Sequence, residues 1–156
     1  AFTGVYKLAA VERGSRLEPT MKFSDNPEKS SNPGVKQAYR LYDANGGAMA
    51  DLIALEEEDQ PLPGREIELF HPSGDWRRAT VRPARVEPLL AKVMEGGRVC
   101  APLPALADIR GSLRGRLEAF DGTYLRLLNP HVYKVSISAR LRDSKLKFIS
   151  ERFGNS

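Results

Sequence analysis

Lys7, Lys22, Lys29 and Lys36 punctuate the first forty residues at intervals of fifteen, seven and seven, each set in apolar or turn-forming sequence. Ammonium groups in such settings call for an ionic partner, solvent or an anionic ligand. Lys7 is the most informative of them. In Val5-Tyr6-Lys7-Leu8-Ala9-Ala10-Val11 both strand faces are nearly apolar, the pattern of a strand covered on both sides. An ammonium there needs a carboxylate partner or an anionic ligand. Lys22, between Met21 and Phe23, faces away from those two residues by the period of two, and solvent is its ordinary partner. Lys29 lies in Asp25-Asn26-Pro27-Glu28-Lys29-Ser30-Ser31-Asn32-Pro33-Gly34, whose Ser, Asn and free backbone N–H groups suit both turns and anions.

Other chemistries lack their parts. The chain has two histidines, His71 and His131, and one cysteine, Cys100, with no HExxH, no CxxC and no Walker-type loop. Ser112-Leu113-Arg114-Gly115-Arg116 lacks the Gly/Lys/Ser spacing of a phosphate cradle. Neither histidine stands beside a recognisable orienting partner, and both sit at turn or strand-entry positions where packing is the common role. The sequence therefore offers no catalytic residue and no metal site.

The elements that must position the lysines are mostly strands. Val5–Val11, Met21–Ser24, Val35–Tyr42, Met49–Leu55 and Glu66–Phe70 read as β-prone runs separated by turn chemistry. Asp43-Ala44-Asn45-Gly46-Gly47 predicts a hairpin between the third and fourth runs, and Gly96-Gly97 predicts another joining Leu89–Met94 to Arg98–Cys100. Glu56 to Gly64, rich in acidic residues and proline, predicts an exposed loop. From Pro104 the period changes: Leu106, Ile109, Leu113, Leu117 and Phe120 recur every three or four residues, which predicts a helix held by tertiary packing despite Gly111 and Gly115. A strand over Val132–Ile137 follows, then a terminal helix starting near Ser138, with Leu141, Phe148, Ile149 and Phe153 as its buried stripe. Strands first and helices last indicate an α+β fold: a β-rich N-terminal half of hairpins and two C-terminal helices.

At 156 residues the chain is one domain of ordinary size that needs no disulfide or metal to fold. Ten basic and thirteen acidic residues in 1–80 give −3, whereas fourteen and seven in 81–156 give +7. Arg110, Arg114, Arg116, Arg140, Arg142, Lys145 and Lys147 fall in the helical stretches, where such residues form solvated faces, so nucleic acid is not expected as a partner. The single cysteine and the absence of an apolar run of bilayer-spanning length fit a cytoplasmic setting with no membrane partner. The chain opens at Ala1, without Met, directly in a strand-like run, so we expect the downstream piece of a longer polypeptide.

Four blocks carry a family resemblance: Gly4-Val5-Tyr6-Lys7-Leu8, the run Lys22-Phe23-Ser24 through Asn32-Pro33-Gly34, Val81-Arg82-Pro83-Ala84-Arg85-Val86-Glu87-Pro88-Leu89-Leu90, and Leu127-Leu128-Asn129-Pro130-His131-Val132-Tyr133-Lys134-Val135. In their order along nearly the whole chain they resemble the C-terminal part of nicotinate phosphoribosyltransferase, an α/β-barrel enzyme of NAD salvage. The resemblance implies a single C-terminal domain over 1–156, with a strand leaving the barrel in 1–12, a mainly β part in 20–100 and a mainly helical part in 104–156.

The family reaction joins nicotinate to phosphoribosyl pyrophosphate, giving nicotinate mononucleotide and pyrophosphate, with Mg²⁺ and ATP as cofactors of the parent enzyme. The nicotinate pocket, the phosphorylated histidine and the glycine-rich phosphate loop belong to segments upstream of the Gly4 block, so the isolated chain is not expected to be active. Its implied partners are the remainder of the enzyme and a second copy in a homodimer. By resemblance to lysines of the related nicotinamide enzymes, Lys7, Lys22 and Lys29 form a phosphate- or pyrophosphate-binding cluster, although the intervening loop differs by one residue in length.

Overall fold

The computed structural model describes residues 4, 6–24 and 29–154, with the main chain alone at 74–76. The hairpin read from its turn is the centre of the fold: β3 (Lys36–Tyr42) pairs antiparallel with β4 (Ala48–Leu55). The Asp43 carboxylate closes the turn by accepting from the N–H groups of Asn45 and Gly47, both at 2.8 Å, and Gly46 takes the positive φ of 83° that the turn requires. Along β4, buried and half-buried positions alternate, as a strand with two unequal faces should.

Four further strands extend this pair: β5 (Ile67–His71), β6 (Gly74–Val81), β7 (Arg85–Pro88) and β10 (Val135–Ile137). Among the described residues they form one six-stranded sheet in the order β6-β5-β10-β4-β3-β7. β10 enters from the far end of the chain, parallel to β4 and antiparallel to β5. The two outer strands, β6 and β7, are consecutive in sequence and joined by Arg82-Pro83-Ala84 alone. A flat sheet would hold them about 24 Å apart, whereas four Cα steps reach at most about 15 Å. The sheet must therefore curl. Its inner face gathers Tyr39, Leu41, Ala50, Leu52, Ala54 and Leu69, and Val81 and Val86 from the two edges pack on the same cluster. Pro83, in the link, is fully buried.

The outer face is covered by α3 (Ala139–Phe153). Leu141 is packed with Phe70 and Ile137, flanked by Ile53 and Leu55. Ser138 caps this helix as its position in the sequence foretold: its Oγ accepts from the Leu141 N–H at 3.1 Å and donates to Glu58 Oε1 at 2.6 Å. The second foreseen hairpin is also present, β8 (Met94–Glu95) with β9 (Arg98–Val99), and both central glycines have positive φ.

Several expectations need correction. The strand read over Val5–Val11 does not form as such. Val5 lies outside the described residues, 6–9 are irregular, and β1 (Ala10–Arg13) pairs only with β2 (Arg16–Pro19), as a separate ribbon. Tyr6 and Leu8 are exposed rather than sandwiched. Met21–Ser24 is not a strand either, since its backbone bonds locally to Ser30 and Ser31. The helix α1 (Leu106–Glu118) exists, but none of its residues is buried: Leu106, Ile109, Leu113 and Leu117 are all exposed. Among the described residues it is moored only near its C-terminal end, by Arg116 paired with Glu87 at 3.9 Å, by the Ala48 N–H to Ala119 O bond at 2.7 Å and by Phe120 against Tyr133. A short helical turn, α2 (Gly122–Leu125), was not foreseen. In α3, Phe153 is 61% exposed rather than part of the stripe.

Candidate functional site

The loop carrying two of the three lysines is built by its own backbone. The Lys22 N–H donates to Ser31 Oγ at 2.8 Å and the Ser31 N–H returns to Lys22 O at 3.1 Å, so the ends of the loop are clasped. One residue pair further in, the Ser24 N–H donates to Ser30 Oγ at 3.2 Å. Asp25-Asn26-Pro27-Glu28, the tip of the motif, lies outside the described residues. After the loop, Gly34 at φ 80° donates its N–H to Ala9 O at 2.7 Å, which fixes the loop's base against the N-terminal ribbon. The positive φ favours glycine at this position, and a Cβ there would come within 2.8 Å of Leu55 Cδ2, so the leucine side chain would have to shift to admit one.

Within this frame Lys7 and Lys29 come together: Lys7 Nζ donates to the Lys29 carbonyl at 3.1 Å. All three lysines are exposed. The expectation that Lys7 is enclosed by apolar faces is therefore overturned, and with it the need for a buried carboxylate partner. Lys22 stands at one end of the backbone clasp, bonded through its main chain to Ser31. Lys36 does different work. Its ammonium gathers the carbonyls of Asn32, Pro33 and Gly34, and burial lowers its pKa from the ordinary lysine value. It is a clamp on the loop's exit.

A second basic region was missed. A cavity of about 330 Å³ lies between the inner side of this loop, the His71–Ser73 turn and α3. Phe23, Ser24 and Ser30 form its loop wall, and Arg142, Lys145, Leu146, Ile149 and Phe153 its helix wall. Lys145, read from sequence as part of a solvated face, is only 8% exposed, and its ammonium donates to Pro72 O at 2.8 Å. Desolvation lowers its pKa. The signal was available, because Lys145 follows Leu141 and precedes Ile149 by four residues, on the stripe that packs inward. Arg142 is also partly withdrawn, its guanidinium 4.0 Å above the Phe70 ring and paired with Asp143 at 2.6 Å. His71 accepts at Nδ1 from the Ser73 N–H at 3.2 Å, a local bond of the kind expected at that turn.

A third polar cluster is structural. Arg40 makes a bidentate pair with Asp51 at 2.8 and 2.9 Å, Tyr133 donates to Asp51 Oδ1 at 3.1 Å, and the guanidinium stacks 4.8 Å from the Phe120 ring. It joins β3, β4 and the segment after α1 while holding Arg40 charged and the Tyr133 hydroxyl protonated, the latter by burial first and by Asp51 second. Among the described residues no group of three or more His, Cys, Asp or Glu converges to hold a metal ion.

Residues 35–145, the curled sheet through the first seven residues of α3, match the family model of the nicotinate phosphoribosyltransferase C-terminal domain. The chain belongs to this family. It is 40% identical to human nicotinate phosphoribosyltransferase over 139 residues, 89% of this chain and 25% of the relative. With the Bacillus subtilis nicotinate phosphoribosyltransferase it shares 31% identity over 152 residues, 97% of the chain and 31% of the relative. An alignment of that extent takes in Lys7, Lys22 and Lys29. The crystal structure of human nicotinic acid phosphoribosyltransferase matches the fold with a TM-score of 0.71 at 35% identity, covering 76% of this chain and 24% of that one. The chain thus spans about a quarter of the length of the human relative. No helix among the described residues is long and apolar enough to cross a membrane.

Proposed function

We propose that this domain works as the C-terminal part of an enzyme that joins nicotinate to phosphoribosyl pyrophosphate, yielding nicotinate mononucleotide and pyrophosphate in NAD salvage. In this reading the domain packs against the barrel of the same enzyme and lends Lys7, Lys22 and Lys29 to a pyrophosphate-bearing substrate, across the interface of a homodimer. The observation that carries the lysine assignment is the contact of Lys7 Nζ with the Lys29 carbonyl, which brings two cations from distant sequence to one loop. That bond uses one of the three ammonium donors of Lys7. Breaking the ribose C1–oxygen bond builds negative charge on the departing pyrophosphate, and preplaced cations favour that step.

The exposed stripe of α1 supports the same reading. Leu106, Ile109, Leu113 and Leu117 have a helix period and lie open, in a chain a quarter the length of its human relative. The remainder of the enzyme is their natural cover. Mg²⁺ and ATP belong to the parent reaction. In this reading the contribution of this domain is charge and position.

The test is steady-state kinetics of Lys7→Met in a full-length enzyme carrying this domain. A charge-assisted contact worth about 1.5–3 kcal/mol when desolvated corresponds to roughly a ten- to hundredfold loss in kcat/KM for phosphoribosyl pyrophosphate. Unchanged kinetics would remove Lys7 from the site. The alternative is that Lys7 only tethers the loop through the Lys29 carbonyl. Lys7→Met would then lower the thermal midpoint slightly and leave KM alone.

A further inference from the structure

We propose that Lys36 is a positioning residue for the pyrophosphate site, tying the segments that carry Lys7 and Lys29 to the six-stranded sheet so that the two lysines hold a fixed relation. Lys36 does so without touching substrate, and its role rests on the one proposed above for Lys7 and Lys29. None of the bonds involved is made by residues 25–28.

Neither of the two lysines stands on the sheet. Residues 6–9 are irregular, and residues 31–35, between the loop and β3, form no strand. Lys36 is the first residue of β3, in register with Leu55 of β4. From that fixed point its half-buried ammonium turns back along the chain and donates to the carbonyls of Asn32 at 2.9 Å, of Pro33 at 3.3 Å and of Gly34. Three donors meet three acceptors, so the ammonium is fully engaged by main chain. These carbonyls precede the ladder of β3, and the side chain does for them what a neighbouring strand does further on.

The clamp reaches both lysines. Gly34, whose carbonyl it holds, gives its N–H to Ala9 O at 2.7 Å, and the same oxygen accepts from the Thr20 N–H at 2.9 Å. Ala9 lies two residues after Lys7. In the other direction Asn32 follows Ser31, whose clasp with Lys22 closes the loop that carries Lys29. The bond from Lys7 Nζ to Lys29 O at 3.1 Å completes a ring that runs from Gly34 through Ala9, Lys7 and Lys29 back to Gly34. Lys36 is the side chain that ties this ring to the sheet. Without its ammonium the ring is free to pivot at Gly34, a residue with little backbone restriction. A displacement of about 1 Å in a group that meets substrate is enough to cost an order of magnitude or more in rate.

The test is steady-state kinetics of a full-length enzyme carrying this domain, with Lys36→Met, Lys7→Met and the double variant beside the parent. Lys36→Met should raise KM for phosphoribosyl pyrophosphate at least about fivefold and leave KM for nicotinate within about twofold, a split that a mere loss of folded enzyme does not produce. Because Lys36 acts through Lys7 and Lys29, the double variant should lose less than the product of the two single losses. Parent KM values for Lys36→Met, or independent losses that multiply in the double variant, would overturn the proposal. Lys7→Met with parent kinetics removes the phosphate role of the lysines and the positioning role with it, whereas a defective Lys7→Met beside an intact Lys36→Met removes the positioning role alone. If Lys36→Met does not fold, Lys36→Gln takes its place. An amide brings two donors on a shorter stem to three carbonyls, so KM for phosphoribosyl pyrophosphate should still rise about threefold. A folded Lys36→Gln with the parent KM would overturn the proposal equally.

Discussion

Leu41 in β3 and Leu113 in α1 both belong to regularly spaced apolar runs, yet the first is fully buried and the second is 56% exposed. The difference lies in what each run can close upon. β3 sits inside a sheet whose edges are tied by a three-residue link, so its inward side chains share one cluster with those of β4, β5, β6 and β7 within the same domain. The chain leaves that sheet after β7, and among the described residues α1 meets it again only near its C-terminal end, through Arg116 paired with Glu87 at 3.9 Å and through Ala119 and Phe120 just beyond. Periodicity tells which side chains share a face. Topology decides whether anything covers that face.

The sharpest way to break this comparison is to truncate both leucines. Leu41→Ala should destabilise the chain by about 3 kcal/mol through lost burial and the cavity left behind, read as a fall in denaturation midpoint. Leu113→Ala should cost no more than about 0.5 kcal/mol in the same chain. Equal losses would mean that α1 is packed after all. Next in size is Arg40→Met, whose removal leaves Asp51, with a side chain 15% exposed, short of its bidentate partner. A loss of about 2 kcal/mol is expected, and Asp51→Asn in the same background should recover part of it. Ser138→Ala removes the α3 cap and the donor to Glu58, and about 1 kcal/mol should go with it.

The smallest effect concerns pH. Glu87 accepts from the Tyr42 hydroxyl at 2.7 Å and from Arg85 at 2.9 Å, and these bonds hold its pKa below the ordinary glutamate value. A carboxylate depressed in the folded state stabilises the fold at pH above its unfolded pKa and loses that contribution as pH falls through the folded one. Below about pH 4.5 the stability of the parent chain should therefore drop more steeply than that of Glu87→Gln. Parallel acid limbs would show that the Tyr42–Arg85–Glu87 contact adds nothing to the fold.

What was legible in the sequence follows the same division. The β3–β4 and β8–β9 hairpins were readable because their turns are dictated by local φ requirements, and the Ser138 cap because an N-cap is a local hydrogen bond. β6 escaped notice because Asp75-Trp76-Arg77-Arg78-Ala79-Thr80 has no alternating apolar face, as befits an edge strand with one neighbour. The insertion of β10 between β4 and β5 is a tertiary event that no window of sequence contains. For the site, the turn-forming composition of residues 25–34 marked the loop, but the meeting of Lys7 with Lys29 spans twenty-two residues and had no local signature. Lys145 was misread by its charge, whereas its spacing from Leu141 and Ile149 marked the buried stripe.

The most direct test of the functional account is pyrophosphate binding to a full-length enzyme bearing this domain, measured by calorimetry with and without the paired substitutions Lys7→Met and Lys29→Met. The account predicts a loss of affinity of at least tenfold with the thermal midpoint of the unliganded enzyme little changed. An unaltered dissociation constant in a folded double variant would contradict it and leave the lysines as a tether of the loop alone.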